Sequence, residues 1–114
     1  MYDAETLLDI HHRAHESLRR LIAFCGVLRA EELVRPVAGF GFPTILRQLE
    51  HTIGAEVYWQ TVVTTGYSEE AELRPADVIM HIVTHIFNRQ AQVLAMCRAM
   101  GTPNETRDLD YPVD

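Results

Sequence analysis

The sequence contains no lysine, since all ten of its basic residues are arginine. These arginines form no cluster, and 16 acidic residues give a net charge of −6, which argues against nucleic acid as a partner. No apolar run approaches the ~20 residues that span a bilayer, and the N-terminus has neither the basic start nor the apolar core of a signal peptide. We therefore expect no membrane partner.

Cysteine is also scarce. Cys25 and Cys97 are the two cysteines of the chain and do not form a C-x-x-C unit, so we expect reduced, buried thiols and a cytoplasmic protein. Nothing resembles a nucleophile triad, a phosphate-binding loop or a nucleotide-binding fingerprint. A chain of 114 residues predicts one domain over residues 1–114.

What the sequence does contain is helical periodicity. It predicts an all-α, up-down bundle of three long helices at about residues 3–27, 43–65 and 76–100, capped or started by Asp3 and Pro43. Residues 37–42 form a loop with two glycines, residues 67–75 a polar connector, and residues 102–114 an irregular tail. The second helix has a wide apolar arc that includes Ile53 and Tyr58, so we expect it to contact at least two neighbours.

Three polar residues stand out in the last helix. His81, His85 and Arg89 recur every fourth residue, so they lie along one helix face. His51 and Glu56 fall within the apolar arc of the second helix, where a carboxylate is costly without a partner such as an arginine. On the first helix His11 shares the core stripe, His15 lies at its edge and His12 faces solvent. For these three the simplest interpretation is a satisfied or exposed side chain.

Three stretches resemble the DinB-like family of helical bundle proteins, whose members include metal-dependent enzymes. They are residues 13–21 (RAHESLRRL), residues 46–59 (LRQLEHTIGAEVYW) and, above all, residues 81–111. The last stretch keeps the spacing of the family's histidine block, its Leu-Gly turn and its Asp-Leu-x-Tyr ending without a gap. The resemblance implies the bundle fold and a divalent ion such as Zn²⁺, Ni²⁺ or Mn²⁺ held by three histidines.

The chain departs from the family at the third ligand. The matching positions are His51, His85 and Arg89, and a guanidinium is not a metal ligand. One interpretation moves the site by one helical turn, with His51, His85 and His81 as ligands. The other is a vacated site into which Arg89 projects, forming a salt bridge with Glu56 or Glu50 or binding an anion, with His15 approaching the same pocket.

The family also has four long helices, whereas this sequence predicts three. A three-helix unit leaves an apolar face uncovered, which predicts a homodimer. By resemblance the protein is a metal-dependent hydrolase, isomerase or thiol transferase acting on a small molecule. The alternative is a non-catalytic helical dimer with an arginine-filled site that serves as a binding or interaction module.

Overall fold

The computed structural model describes residues 3–65 and 75–102. Within these ranges the chain forms four helices and no strand: α1 (Ala4–Cys25), α2 (Ala30–Leu33), α3 (Ile45–Thr65) and α4 (Pro75–Met100). The all-α prediction and the three long helices are confirmed. Most of the connector predicted at 67–75 and of the tail predicted at 102–114 lies outside the described residues.

An N-terminal cap and a stripe of apolar side chains at helical spacing both favour helix α1. Asp3 Oδ1 accepts a hydrogen bond from the Thr6 amide at 2.7 Å, which satisfies one of the free amides of the first turn. The buried stripe follows the predicted spacing and consists of Leu7, Ala14, Ser17, Leu18, Leu21 and Cys25. Ile22, which follows Leu21 in the sequence, lies at the edge of this stripe and is 43% exposed.

The end of α1 differs from the prediction. The helix ends at Cys25 rather than at residue 27, and α2, a single turn, lies between it and the predicted loop. Glu32 explains this turn, because its Oε1 accepts a hydrogen bond from the Arg29 amide at 2.9 Å. That bond, a hydrogen bond from the Thr102 side chain and the neighbouring Arg29 guanidinium hold the pKa of Glu32 down at about 2.

Helix α3 begins two residues after the predicted start. Thr44 rather than Pro43 supplies the cap, since Thr44 Oγ1 accepts a hydrogen bond from the Arg47 amide at 3.1 Å. The loop before it turns at Gly39, whose φ of 95° lies in the left-handed region, and closes with a bond from the Val37 amide to the Pro43 carbonyl.

Helix α4 is the centre of the fold, because both α1 and α3 pack along it. Its Val93, Met96 and Cys97 are fully buried. The helix ends at Gly101, as predicted, with a φ of 71° and a bond from the Thr102 amide back to the Cys97 carbonyl. No described helix combines the length and the apolar character that crossing a membrane requires.

Pairs of side chains give the directions of the helices. Between α3 and α4, Gln48 meets Gln92 and His51 meets His85, so the residue numbers run in opposite directions and the helices are antiparallel. Ser17 on α1 donates a buried hydrogen bond to Gln90 Oε1 at 2.7 Å, and nearer the ends of the same helices the Cys25 and Cys97 thiols hydrogen-bond to each other. Helices α1 and α4 are therefore parallel, which gives the predicted up-down order.

The outer face of α3 remains uncovered within the described residues. Ile53, Val57 and Tyr58 are 48%, 61% and 49% exposed, so the part of the predicted apolar arc that contains Ile53 and Tyr58 is not buried. The reason is geometric. Among the described helices α3 has one extensive neighbour, α4, and only few contacts with α2, so its outer apolar side chains have no described helix to pack against.

Candidate functional sites

The first candidate site joins α1 to α3. His11 and His15 are four residues apart on α1, so their imidazoles project from the same face of the helix on successive turns. Their ring centroids are 4.2 Å apart. Both imidazoles reach Glu56 of α3: His15 Nε2 contacts Glu56 Oε1, and His11 Nε2 lies 3.4 Å from the same oxygen. We call these three residues the His-His-Glu cluster.

The cluster has the separation of a metal site. One ligand atom from each residue lies within 4.8 Å of a ligand atom from each of the other two. No other described trio of His, Cys, Asp or Glu residues meets this criterion. Ligands of a tetrahedral ion at 2.0–2.2 Å lie about 3.4 Å apart, so small side-chain movements would suffice. Two imidazole nitrogens and one carboxylate oxygen also form a donor set that suits Zn²⁺.

The three side chains of the His-His-Glu cluster are partly buried, which favours metal binding. The Glu56 side chain is only 12% exposed, whereas those of His11 and His15 are 22% and 32% exposed. Burial lowers the pKa of His11, the neighbouring His15 lowers it further, and the Glu56 carboxylate opposes both effects. A neutral imidazole is the form that binds a metal ion. The cluster therefore has a partly shielded carboxylate and a solvent-facing side where a fourth ligand would fit.

The second candidate site lies between α3, α4 and the loop before α3. His51 Nε2 is 3.1 Å from His85 Nε2, and the Phe42 ring stacks on His51 with centroids 4.2 Å apart and planes 21° apart. Arg89 lies one turn beyond His85, with its Cζ 5.4 Å from the Phe42 centroid. We call these four residues the His-Arg cluster.

The electrostatics of this second cluster do not favour a cation. Burial, followed by the charges of His51, Arg89 and His81, lowers the pKa of His85 to about 4. Burial and the Arg89 charge also lower the pKa of His51. Both rings are therefore neutral near pH 7, and one Nε2 donates a hydrogen to the other. Arg89 adds a positive charge where a third ligand would have to be, so the family-type ligand positions do not fit a metal ion.

His81 stands apart from both clusters. It is exposed and packs edge-on against Trp59 at a centroid distance of 4.9 Å, whereas its centroid is 6.3 Å from that of His85. Of the predicted ligand set, the structure brings His51 and His85 together but leaves His81 a full turn away. Of the predicted pocket set, it joins His15 to Glu56, while Arg89 makes no ion pair with either Glu56 or Glu50 among the described residues.

A narrow crevice runs between the two clusters. Its walls include Glu56 of the His-His-Glu cluster and His85 of the His-Arg cluster, and the remaining lining residues are Thr52, Ala55, Trp59, Ile82 and Ile86. The crevice contains no void large enough for a water molecule. The side chains between the two sites are therefore packed together, and they do not enclose a preformed substrate cavity.

The sequence interpretation missed His11 as a site residue. Its i, i+4 spacing with His15 was a usable signal, the same spacing that drew attention to His81 and His85. Helical phase placed His11 in the core stripe, however, and an arginine was expected as the partner of Glu56. The approach of Glu56 to α1 depends on how α3 packs on α4, which no local pattern encodes.

No protein-family model, no curated protein and no solved structure matches this chain.

Proposed function

We propose that this protein is a metal-dependent enzyme of the DinB-like type that acts on a small molecule and holds its divalent ion with His11, His15 and Glu56. One observation carries the metal-binding part of the proposal: three side chains from two helices converge with a nitrogen, nitrogen and oxygen donor set. Three protein ligands with a solvent-facing fourth position are the arrangement of catalytic rather than structural zinc sites.

The roles of the residues follow from their positions. His11 and His15 are fixed relative to each other by one turn of α1, and Glu56 brings a negative charge that offsets part of the charge of the ion. Gln60 Nε2 donates to Glu56 Oε1 at 3.3 Å and so helps to orient the carboxylate. A bound ion would supply Lewis acidity to a small molecule held at its open position. Hydrolase, isomerase and thiol-transferase chemistry are the classes that the resemblance implies.

The proposal places the ion away from the family's own ligand positions. At those positions Arg89 stands beside His51 and His85, and the two imidazoles satisfy each other. The His-His-Glu cluster, between α1 and α3, offers a second set of three donors. Two observations thus support a relocated site. The ligand set that the resemblance implies lacks one histidine, and the His-His-Glu cluster supplies three donors.

Arg89 also favours a second candidate function. A DinB-like helical protein in which arginine occupies the position of the third ligand, and whose crevice has no open void, would serve as a non-catalytic binding or interaction module. In that case the two histidines and Glu56 would form a hydrogen-bonded cluster that needs no ion.

In either case we propose a cytoplasmic homodimer. The cysteines of the structure are free thiols, which suits a reducing compartment. The uncovered face of α3 carries Leu46, Ile53 and Val57 at helical spacing. A second copy that presents the same face would occupy the position of a fourth helix through a twofold axis.

Thermal melting with added metal tests the proposal. The tag-free protein is melted in chelator-treated buffer and then with Zn²⁺, Ni²⁺ or Mn²⁺. Binding to the native state raises the melting temperature, by roughly 5 °C or more once the ion is well above its Kd. Substitution of His15 by alanine should abolish the increase, and His12→Ala, on the same helix but outside the cluster, should keep it. An unchanged melting temperature for the wild type with all three ions would favour the non-catalytic module.

A further inference from the structure

We propose that the His-Arg cluster binds a small oxyanion, a carboxylate or phosphate group, with Arg89 as its charged anchor and the faces of Phe42 and His51 as the supports that position it. The site is separate from the His-His-Glu cluster, and the inference does not depend on a metal ion.

The first observation is that Arg89 has no anionic partner among the residues that the structure describes. Its Nε is buried and makes no hydrogen bond. Other described arginines behave differently: Arg13 pairs with Asp9, Arg19 with Glu16 and Arg47 with Glu50. A buried guanidinium nitrogen without a partner costs stability. Because its Nε is already desolvated, the Arg89 guanidinium loses less hydration when its outer nitrogens bind an anion.

The second observation is that Arg89 is held in place. Its guanidinium lies over the Phe42 ring, with Cζ 5.4 Å from the ring centroid. The Phe42 ring is in turn packed against a second ring. Phe42 stacks on His51, and His51 contacts His85 one turn before Arg89 on α4. A guanidinium oriented by an aromatic face loses less entropy when it binds.

The third observation concerns charge. The two histidines beside Arg89 are neutral near pH 7, and no carboxylate is among the groups that shift the pKa of either ring. Arg89 therefore leaves a positive charge without compensation in this part of the described structure. A cation would be repelled from this position, whereas an anion would be attracted to it.

The shape of the donor defines the ligand class. The planar fork of a guanidinium matches the two oxygens of a carboxylate or of a phosphate group, and the hydrogen bonds formed are charge-assisted. Arg89 and Phe42 are both half-buried, so the oxyanion reaches the fork from the surface and has to be small, or to be the terminal group of a larger molecule.

Nuclear magnetic resonance provides the test. Metal-free protein, kept in chelator, is titrated with inorganic phosphate in one arm and with acetate in the other, while the arginine Nε–Hε signals and the histidine ring signals are followed. Saturable shifts of the Arg89 and His51 signals in either arm support the site, and the arm with the tighter binding identifies the oxyanion. Shifts that remain linear with concentration, or the absence of shifts in both arms, would overturn the proposal.

Substitutions assign the binding to Arg89. Arg89→Met should weaken binding by about tenfold or more, the size expected for a lost charge-assisted pair. Arg47→Met, which removes an exposed arginine of α3, should leave the affinity unchanged. Arg89→Lys keeps the charge without the fork and should give an intermediate affinity; it also replaces the methionine variant if that protein does not fold. Equal affinities for wild type and both Arg89 variants would overturn the proposal.

Discussion

The imidazole of His15 contacts the carboxylate of Glu56, which lies 41 residues further along the chain on a different helix. This contact, with the neighbouring one from His11, joins two helices that otherwise meet only sparsely. The side chains that connect α1 to α3 are therefore also those that would hold the ion in the proposed function.

Replacing Glu56 should reduce stability even without metal. Glu56→Ala removes the shared acceptor of two partly buried imidazoles, so we expect the free energy of unfolding to fall by about 1–3 kcal/mol. Urea denaturation in the presence of chelator measures this change. Glu50→Ala, at an exposed position of the same helix, should cost less than about 0.5 kcal/mol. Equal losses in the two variants would show that the contact with α1 contributes nothing.

A second buried polar contact fixes α1 on α4. Ser17 and Gln90 are almost fully buried, and the hydroxyl of Ser17 donates to Gln90 Oε1 at 2.7 Å. We expect Ser17→Ala to lower the free energy of unfolding by about 1 kcal/mol. Thr84→Ala removes an exposed hydroxyl of α4 and serves as the control. A serine variant as stable as the wild type would mean that the bond makes no net contribution.

The low pKa of His85 predicts an acid-sensitive fold. Its pKa is about 4 in the native state, against an ordinary value of 6.5 that we assign to the unfolded chain. Between these values the unfolded state binds more protons, so the free energy of unfolding falls as the pH is lowered from about 6.5 to about 4, by at most about 1.4 kcal/mol per pH unit for this residue. Above pH 6.5 the residue makes no pH-dependent contribution.

The variant His85→Gln removes this titration. Urea denaturation of metal-free protein from pH 7.5 to pH 4 should show the wild type losing stability relative to His85→Gln as the pH falls. His12→Gln, at an exposed position of α1, should run parallel to the wild type. If the His85→Gln curve also runs parallel, His85 does not resist protonation in the folded protein.

The uncovered face of α3 predicts self-association. Val57 and Ile53 are 61% and 48% exposed, and we expect a dimer by size-exclusion chromatography with light scattering. The double variant Ile53→Glu, Val57→Glu should shift the mass to that of a monomer, because apposed carboxylates repel. Leu8→Glu, at an exposed apolar position of α1, should remain dimeric. A monomeric wild type would contradict the dimer outright.

Much of the fold could be predicted from the sequence. The three long helices and the end of the last one at residue 100 follow from local chemistry, and these were predicted correctly. The predicted start of α3 was wrong because two local signals competed, at Pro43 and Thr44. The exposure of Ile53 depends on which helices are available as neighbours. The site could be predicted less well. The family resemblance placed His51 near His85, but the meeting of His11 and His15 with Glu56 depends on packing between distant segments.

Metal content measured by mass spectrometry tests the central claim most directly. Tag-free protein is dialysed against a small excess of Zn²⁺ and then against metal-free buffer, and zinc is counted per chain for the wild type and four variants. We predict about one zinc per chain in the wild type and in His12→Ala, and loss of the zinc in His15→Ala and Glu56→Gln. His51→Ala, which removes the histidine at the family-type ligand position, should retain it. A wild type without zinc would contradict the proposed site, as would zinc that persists in Glu56→Gln but disappears in His51→Ala.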